Sequence, residues 1–155
     1  MKNIEHDFLI EDLVPHAPPM RMVDSLVSYS ETAVIVRSHI HEDHAFAQSE
    51  GVPAHVALEI MAQACAVWAG VEARHAGGRA QVGLLLGSRN CRIAVPFFAF
   101  GDTLTIHADL VFREGGMAIF DSRIEIAGRL VAQATLNVYQ PEDGNLSRAL
   151  GMVAS

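Results

Sequence analysis

Cysteine is scarce in this chain: Cys65 and Cys91 are the only two in 155 residues. Their separation fits no metal-ligand spacing, and no disulfide framework is expected of them. Positive charge is scarce too. Eleven Lys and Arg stand against 18 Asp and Glu, a formal net charge of −7. That balance argues against a nucleic-acid partner. Low-complexity tracts, internal repeats and linkers are missing as well. The opening residues MKNIEHDFLIEDLV are acidic and amphipathic, unlike a secretory signal. A reduced, cytoplasmic protein is therefore the expectation. Eight histidines are present. His39, His41 and His44 crowd in or beside a turn without a matching ligand cluster, so no metal is expected either.

What is present is apolar. Hydrophobic residues make up 50% of the chain, enough for one domain over residues 1–155 with a sizeable core. The most telling stretch runs from Val52 to Val71, with Ala, Val, Leu, Ile, Met, Cys and Trp on every side. A helix apolar all round is wrapped by protein or sits in a membrane. The membrane alternative fails on Glu59, which would lie near the bilayer centre, and on the soluble-type start Gly51-Val52-Pro53. A buried helix from Val52 to about Arg74 is expected.

Three polar residues interrupt that helix, His55, Glu59 and Gln63, each four positions from the next. On a helix they form one slowly drifting stripe. An unpaired buried carboxylate is costly, so the stripe needs a reason. It reads either as a site lined by acid, base and orienting amide, or as a hydrogen-bonded core network.

Along the chain, Ile4 to Val14 suggests a short helix, broken by Pro15-His16-Ala17-Pro18-Pro19-Met20. His16 reads as a structural ring pinned in this proline-rich turn. Met22 to Ile40 is strand-like, with a hairpin turn at Ser30-Glu31. A polar stretch, His41 to Gly51, leads into the central helix, which Gly77-Gly78 end. Four further strands are expected. Val82 to Val95 is the first. Thr103 to Arg113 turns Leu104, Ile106, Ala108, Leu110 and Phe112 inward. Met117 to Ala127 does the same with Ala118, Phe120, Ile124 and Ile126. The last turns in Leu130, Ala132, Ala134, Leu136 and Val138. Gly115-Gly116 and Gly128-Arg129 supply turns. Residues 141–155 read as a loosely held tail. The order of elements gives an α+β domain: curved antiparallel sheet around one long helix.

Two segments now become familiar. The run Leu13 to Asp24, LVPHAPPMRMVD, looks like the N-terminal motif of 3-hydroxyacyl-acyl-carrier-protein dehydratases. Pro53 through Glu59-Ile60-Met61-Ala62-Gln63-Ala64 looks like their central-helix motif, and the later segments come in the expected order. The resemblance is nearest to the dehydratase-like subfamily found with aryl polyene biosynthesis. It implies the hotdog fold and a dimer, homodimer or heterodimer, with active sites at the subunit interface. Glu59 matches the family's catalytic acid and Gln63 the glutamine one turn later. Ala54 falls where the family has a Gly whose N–H polarises the thioester carbonyl. The family's catalytic His lies fourteen residues before the acid, in a Gly-His-Phe-Pro motif. Here that register holds Ala45, followed by Phe46, with His44 one place early.

The activity implied is elimination of water from a 3-hydroxyacyl thioester carried by acyl carrier protein or coenzyme A. That chemistry needs a base, an acid and a stabilised enolate-like oxygen, and no cofactor. Glu59 and His55 are the catalytic candidates. Ala54, Gln63 and His44 are the substrate-binding ones. His55, rather than His44, is expected nearest Glu59, because residues four apart on a helix are neighbours. Arg74, Arg79, Arg89 and Arg92 offer either a docking patch for an acidic carrier protein or scattered solvated charge. Two rivals stand beside the dehydratase. One is a hotdog thioesterase using Glu59 as base for water. The other is a non-catalytic partner subunit completing the site of an active paralogue, which the lost His register favours.

Overall fold

Period-two alternation builds the sheet, and it can be followed residue by residue. The structure is a computed structural model that describes residues 2–3, 8–79, 81 and 83–141. Among the described residues nine strands form: β1 (Lys2–Asn3), β2 (Ser25–Ser30), β3 (Ala33–His39), β4 (Val52–Pro53), β5 (Leu84–Ile93), β6 (Phe97–Phe98), β7 (Thr103–Glu114), β8 (Met117–Ile126) and β9 (Arg129–Tyr139). Seven of them make one antiparallel sheet in the order β1-β2-β3-β7-β8-β9-β5, and β4 pairs with β6 beside it. Leu104, Ile106 and Ala108 of β7 are fully buried, while His107 and Asp109 beside them face outward. On β8 the inward row is Ala118, Phe120, Ser122 and Ile124.

Two bulges interrupt the expected rows. Leu110 pairs with Phe120 but Phe112 pairs with Ile119, so Val111 is an extra residue. One added residue turns the side chains downstream of it to the other face. Phe112 is accordingly 47% exposed rather than inward. On β9, Ile124 faces Ala132 while Glu125 faces Leu130, leaving Val131 extra. Val131 is buried and the expected core residue Leu130 is 47% exposed.

The sheet curls over one helix, α1 (Ala57–His75), which packs on β2, β3, β5, β7, β8 and β9. Ala54–His75 is long and apolar enough to span a membrane by composition alone. Here its Ile60, Met61, Ala64, Val67 and Val71 fill the core instead. Trp68 meets Phe120 edge-on at 5.5 Å and donates its Nε1–H to the Ser30 carbonyl at 3.2 Å. The helix starts later than the sequence pattern suggests. Val52–Pro53 is extended, and Ala54–Val56 is a 3₁₀ turn. Pro53 sits at ψ 131, outside the helical region, and commits the Ala54 N–H to the Pro96 carbonyl at 3.0 Å.

At the other end of the chain, the described part of the expected Ile4–Val14 helix holds a 3₁₀ turn at Ile10–Asp12, and residues 4–7 lie outside the described set. Pro15 stops it from growing. The segment then crosses α1 at Gly70, where a Cβ would lie 2.0 Å from the Leu13 carbonyl oxygen. Only glycine permits that approach, and it lays Pro15 and His16 against the helix. The tail from residue 142 lies outside the described residues.

Candidate active site

Small side chains on α1 create the site. Ala62, Ala66, Ala69 and Ala73 recur at helical spacing along one face, continued by Ala76 just past the helix end, and leave a cavity of about 550 Å³ against β5, β8 and β9. Ala62, Ala66, Ala69 and Ala73 are half-buried in the single chain, whereas Ile60, Met61, Ala64, Val67 and Val71 are buried. Pro15, His16, Glu59 and Gln63 line one end. Glu72, Arg113, Tyr139 and Gln140 line the walls farther on.

Gln63 is fully buried and organises the first end. Its Oε1 accepts the Met22 N–H at 2.7 Å. Its Nε2 donates to the Met20 carbonyl at 2.8 Å and to Glu59 Oε1 at 3.0 Å. One side chain thus ties the proline-rich loop to the helix and holds the carboxylate. Glu59 itself is 43% exposed at the side chain, and His16 Nε2 lies 3.7 Å from the same Oε1. Oε2 of Glu59 has no partner among the described residues.

The remaining expected residues lie elsewhere. His55 is exposed on the 3₁₀ turn, does not line the cavity, and its side chain makes no hydrogen bond, ion pair or ring contact among the described residues. The ring within ion-pair distance of Glu59 in this chain is His16, contrary to the expectation for His55. The reason is local. A 3₁₀ turn winds three residues per turn, so His55 is rotated off the α-helical stripe that carries Glu59 and Gln63. Proximity of His16 could not be read from spacing, since it arrives from a loop far upstream; its only sequence signal is the Pro-His pair within the N-terminal motif. Ala54, expected to offer a free N–H, already donates it to Pro96.

His44 also lies outside the cavity walls. Its Nδ1 accepts the Phe46 N–H at 3.1 Å, and its Nε2 is buried without a partner. Burial holds its pKa below the ordinary histidine value, against the pull of Asp24 and Asp43. A neutral ring with Nδ1 occupied carries its proton on Nε2, so His44 presents a donor. Burial pushes the Cys65 thiol far above its usual range, which denies the cavity a thiolate nucleophile. No cluster of three or more metal-ligating side chains occurs among the described residues.

A long helix in a curled antiparallel sheet thus carries an acid on the wall of a groove along that helix. A model of ApeP-like dehydratases matches residues 8–150. The chain belongs to that family. It is 28% identical to a chain of the dehydratase heterocomplex ApeI:P from Xenorhabdus doucetiae, with a TM-score of 0.85 over 92% of this chain and 97% of that one. Among curated relatives, the 3-hydroxyacyl-[acyl-carrier-protein] dehydratase FabZ of Streptococcus pneumoniae serotype 4 is 26% identical over 135 residues, covering 82% of this chain and 91% of the relative. FabZ of Lactococcus lactis subsp. cremoris is 26% identical over 133 residues, 82% and 89% of the two chains. The PaaI protein of E. coli shares 16% identity at a TM-score of 0.58, over 76% and 78% of the chains, which shows the common hotdog fold alone.

Proposed function

We propose that this chain serves in the dehydration of a 3-hydroxyacyl thioester to the trans-2-enoyl thioester. Glu59 supplies the acid, in a site that a second chain completes. One observation carries the reading: Glu59 lines the cavity with one carboxylate oxygen held and the other without a partner among the described residues. Elimination needs a proton delivered to the departing C3 hydroxyl and a base that takes the C2 proton. Glu59 fits the first task. For the second, the register of the family's histidine holds Ala45, and His44 beside it offers a donor rather than a lone pair.

The base is therefore assigned to a dehydratase paralogue in a heterodimer. The similarity to a heterocomplex chain supports this. So do the half-open face of α1 and the edge strand β5, which has no partner on its outer side among the described residues and exposes Leu85 and Leu86. His44, outside the cavity with its Nε2 sealed, stays a ring of the loop before the helix, and Gln63 orients Glu59. The substrate is a thioester on an acyl carrier protein in the cytoplasm, with no cofactor. Arg79, Arg89 and Arg92 are exposed and available to an acidic carrier, whereas Arg74 is engaged by Asp12.

The test is turnover of a 3-hydroxyacyl-N-acetylcysteamine thioester by the chain alone and by the chain co-purified with a paralogue that keeps the histidine motif. Enoyl product from the pair only is the expected result. A homodimer active alone and silenced by His55→Ala would move the base to His55. Free thiol released without enoyl product would establish the thioesterase instead.

A further inference from the structure

We infer that His16 is a positioning residue for Glu59: with Gln63 it pins Oε1 and leaves Oε2 free to face the substrate. This rests on the reading of Glu59 as the acid. Three observations carry it. Both neighbours of the carboxylate approach the same oxygen, Gln63 Nε2 at 3.0 Å and His16 Nε2 at 3.7 Å. The His16 ring lines the cavity, yet it bonds nothing in the loop that holds it, as a purely structural ring would. Its other nitrogen, Nδ1, is buried with no partner.

The last point fixes the tautomer. A proton on the sealed Nδ1 would be an orphan donor, whereas a proton on Nε2 points at a carboxylate. The ring therefore carries its hydrogen on Nε2. At 3.7 Å this contact is longer than a full hydrogen bond, so the ring acts on Oε1 through its N–H dipole rather than through a closed bond. The segment that carries the ring is held from two sides. Pro15 precedes it, and Gln63 bonds Met20 and Met22 just beyond it. Gly70 lets the same segment lie on α1. A carboxylate fixed through one oxygen delivers a proton from the other along a defined direction, which a freely rotating side chain cannot do.

The experiment uses the full chain in its complex with the histidine-bearing paralogue, acting on 3-hydroxyhexanoyl-N-acetylcysteamine. His16→Phe keeps a ring of similar volume and loses the donor. It is expected to lower kcat about tenfold with KM within about twofold, and His16→Gln, which restores a donor, recovers most of that loss. Unchanged kcat in His16→Phe, with Glu59→Gln inactive, overturns the positioning role while leaving the acid in place. Full turnover in Glu59→Gln overturns both. A loss confined to KM also overturns it. Should His16→Phe not fold, ¹⁵N-histidine NMR on the unmutated chain decides: an Nε2–H signal that moves in Glu59→Gln supports the assignment, and an Nδ1–H tautomer contradicts it.

Discussion

Glu59 and Glu72 sit on one helix, thirteen residues apart, and both line the same cavity. At 1.5 Å per residue they are about 20 Å from one another along the axis. Their surroundings differ in kind. Glu72 has both oxygens committed: Oε2 accepts the Tyr29 hydroxyl and Oε1 faces Arg113 Nη1 at 3.5 Å. Arg113 in turn lies over the Trp68 ring, 5.2 Å from its centroid. Burial first, and then the bond to Glu72, drives the Tyr29 hydroxyl well above its ordinary pKa, so it remains a donor. Glu59 has one oxygen shared by Gln63 and His16 and the other open. A carboxylate with both oxygens committed stiffens the fold. One with a vacant oxygen on a cavity can exchange a proton.

The largest effect is expected at Glu59. Glu59→Gln keeps the size and the bond to Gln63 but cannot transfer a proton, so turnover of the complex should fall by about 10²–10⁴-fold with the thermal midpoint unchanged. A wild-type rate would erase the distinction between the two carboxylates. Gln63→Leu strikes both the site and the loop. It leaves the buried Met22 N–H and the part-buried Met20 carbonyl unpaired, a loss of about 1–3 kcal/mol by denaturant unfolding, and turnover should drop with it. Glu72→Ala inverts the Glu59 pattern. It should cost about 1–2 kcal/mol, reduced by the exposure of Arg113, while turnover stays within about threefold.

The smallest effect is in pH. Burial lowers the pKa of His44 and of His107, which faces Glu125 at 3.5 Å on the outer sheet surface beside Arg123. Each folded ring binds a proton less readily than the unfolded ring, whose reference is 6.5. Below that pH the unfolded chain takes up more protons, so stability is full above it and declines as pH falls through the window beneath it. Glu125 and Asp109 oppose the shift at His107, which keeps the effect modest. His107→Gln should flatten part of this slope in thermal unfolding between neutral and mildly acidic pH.

How much of this was legible in the sequence differs between local and distant contacts. The strands showed themselves because alternation in β7, β8 and β9 is a property of neighbouring residues. Glu59 and Gln63 showed themselves because spacing by four survives in a true α-helix. His55 obeyed the same arithmetic on paper, but Pro53 and the Ala54–Pro96 bond turn its segment into a tighter wind. The bulges at Val111 and Val131 add one residue each and reverse faces, which no alternation count detects. His16 reaches Glu59 only because Gly70 and Gln63 draw a distant loop onto α1. Such tertiary contacts carry no periodic signal.

The central claim is that this chain brings the acid and a second chain brings the base. A crystal structure of the two-chain complex with a non-eliminating 3-hydroxyacyl-pantetheine analogue tests it most directly. The account predicts the C3 oxygen about 3 Å from Glu59 Oε2 and a histidine of the second chain facing C2. An analogue bound away from Glu59, or a C2 carbon facing only His16, His44 or His55 of the same chain, would contradict it.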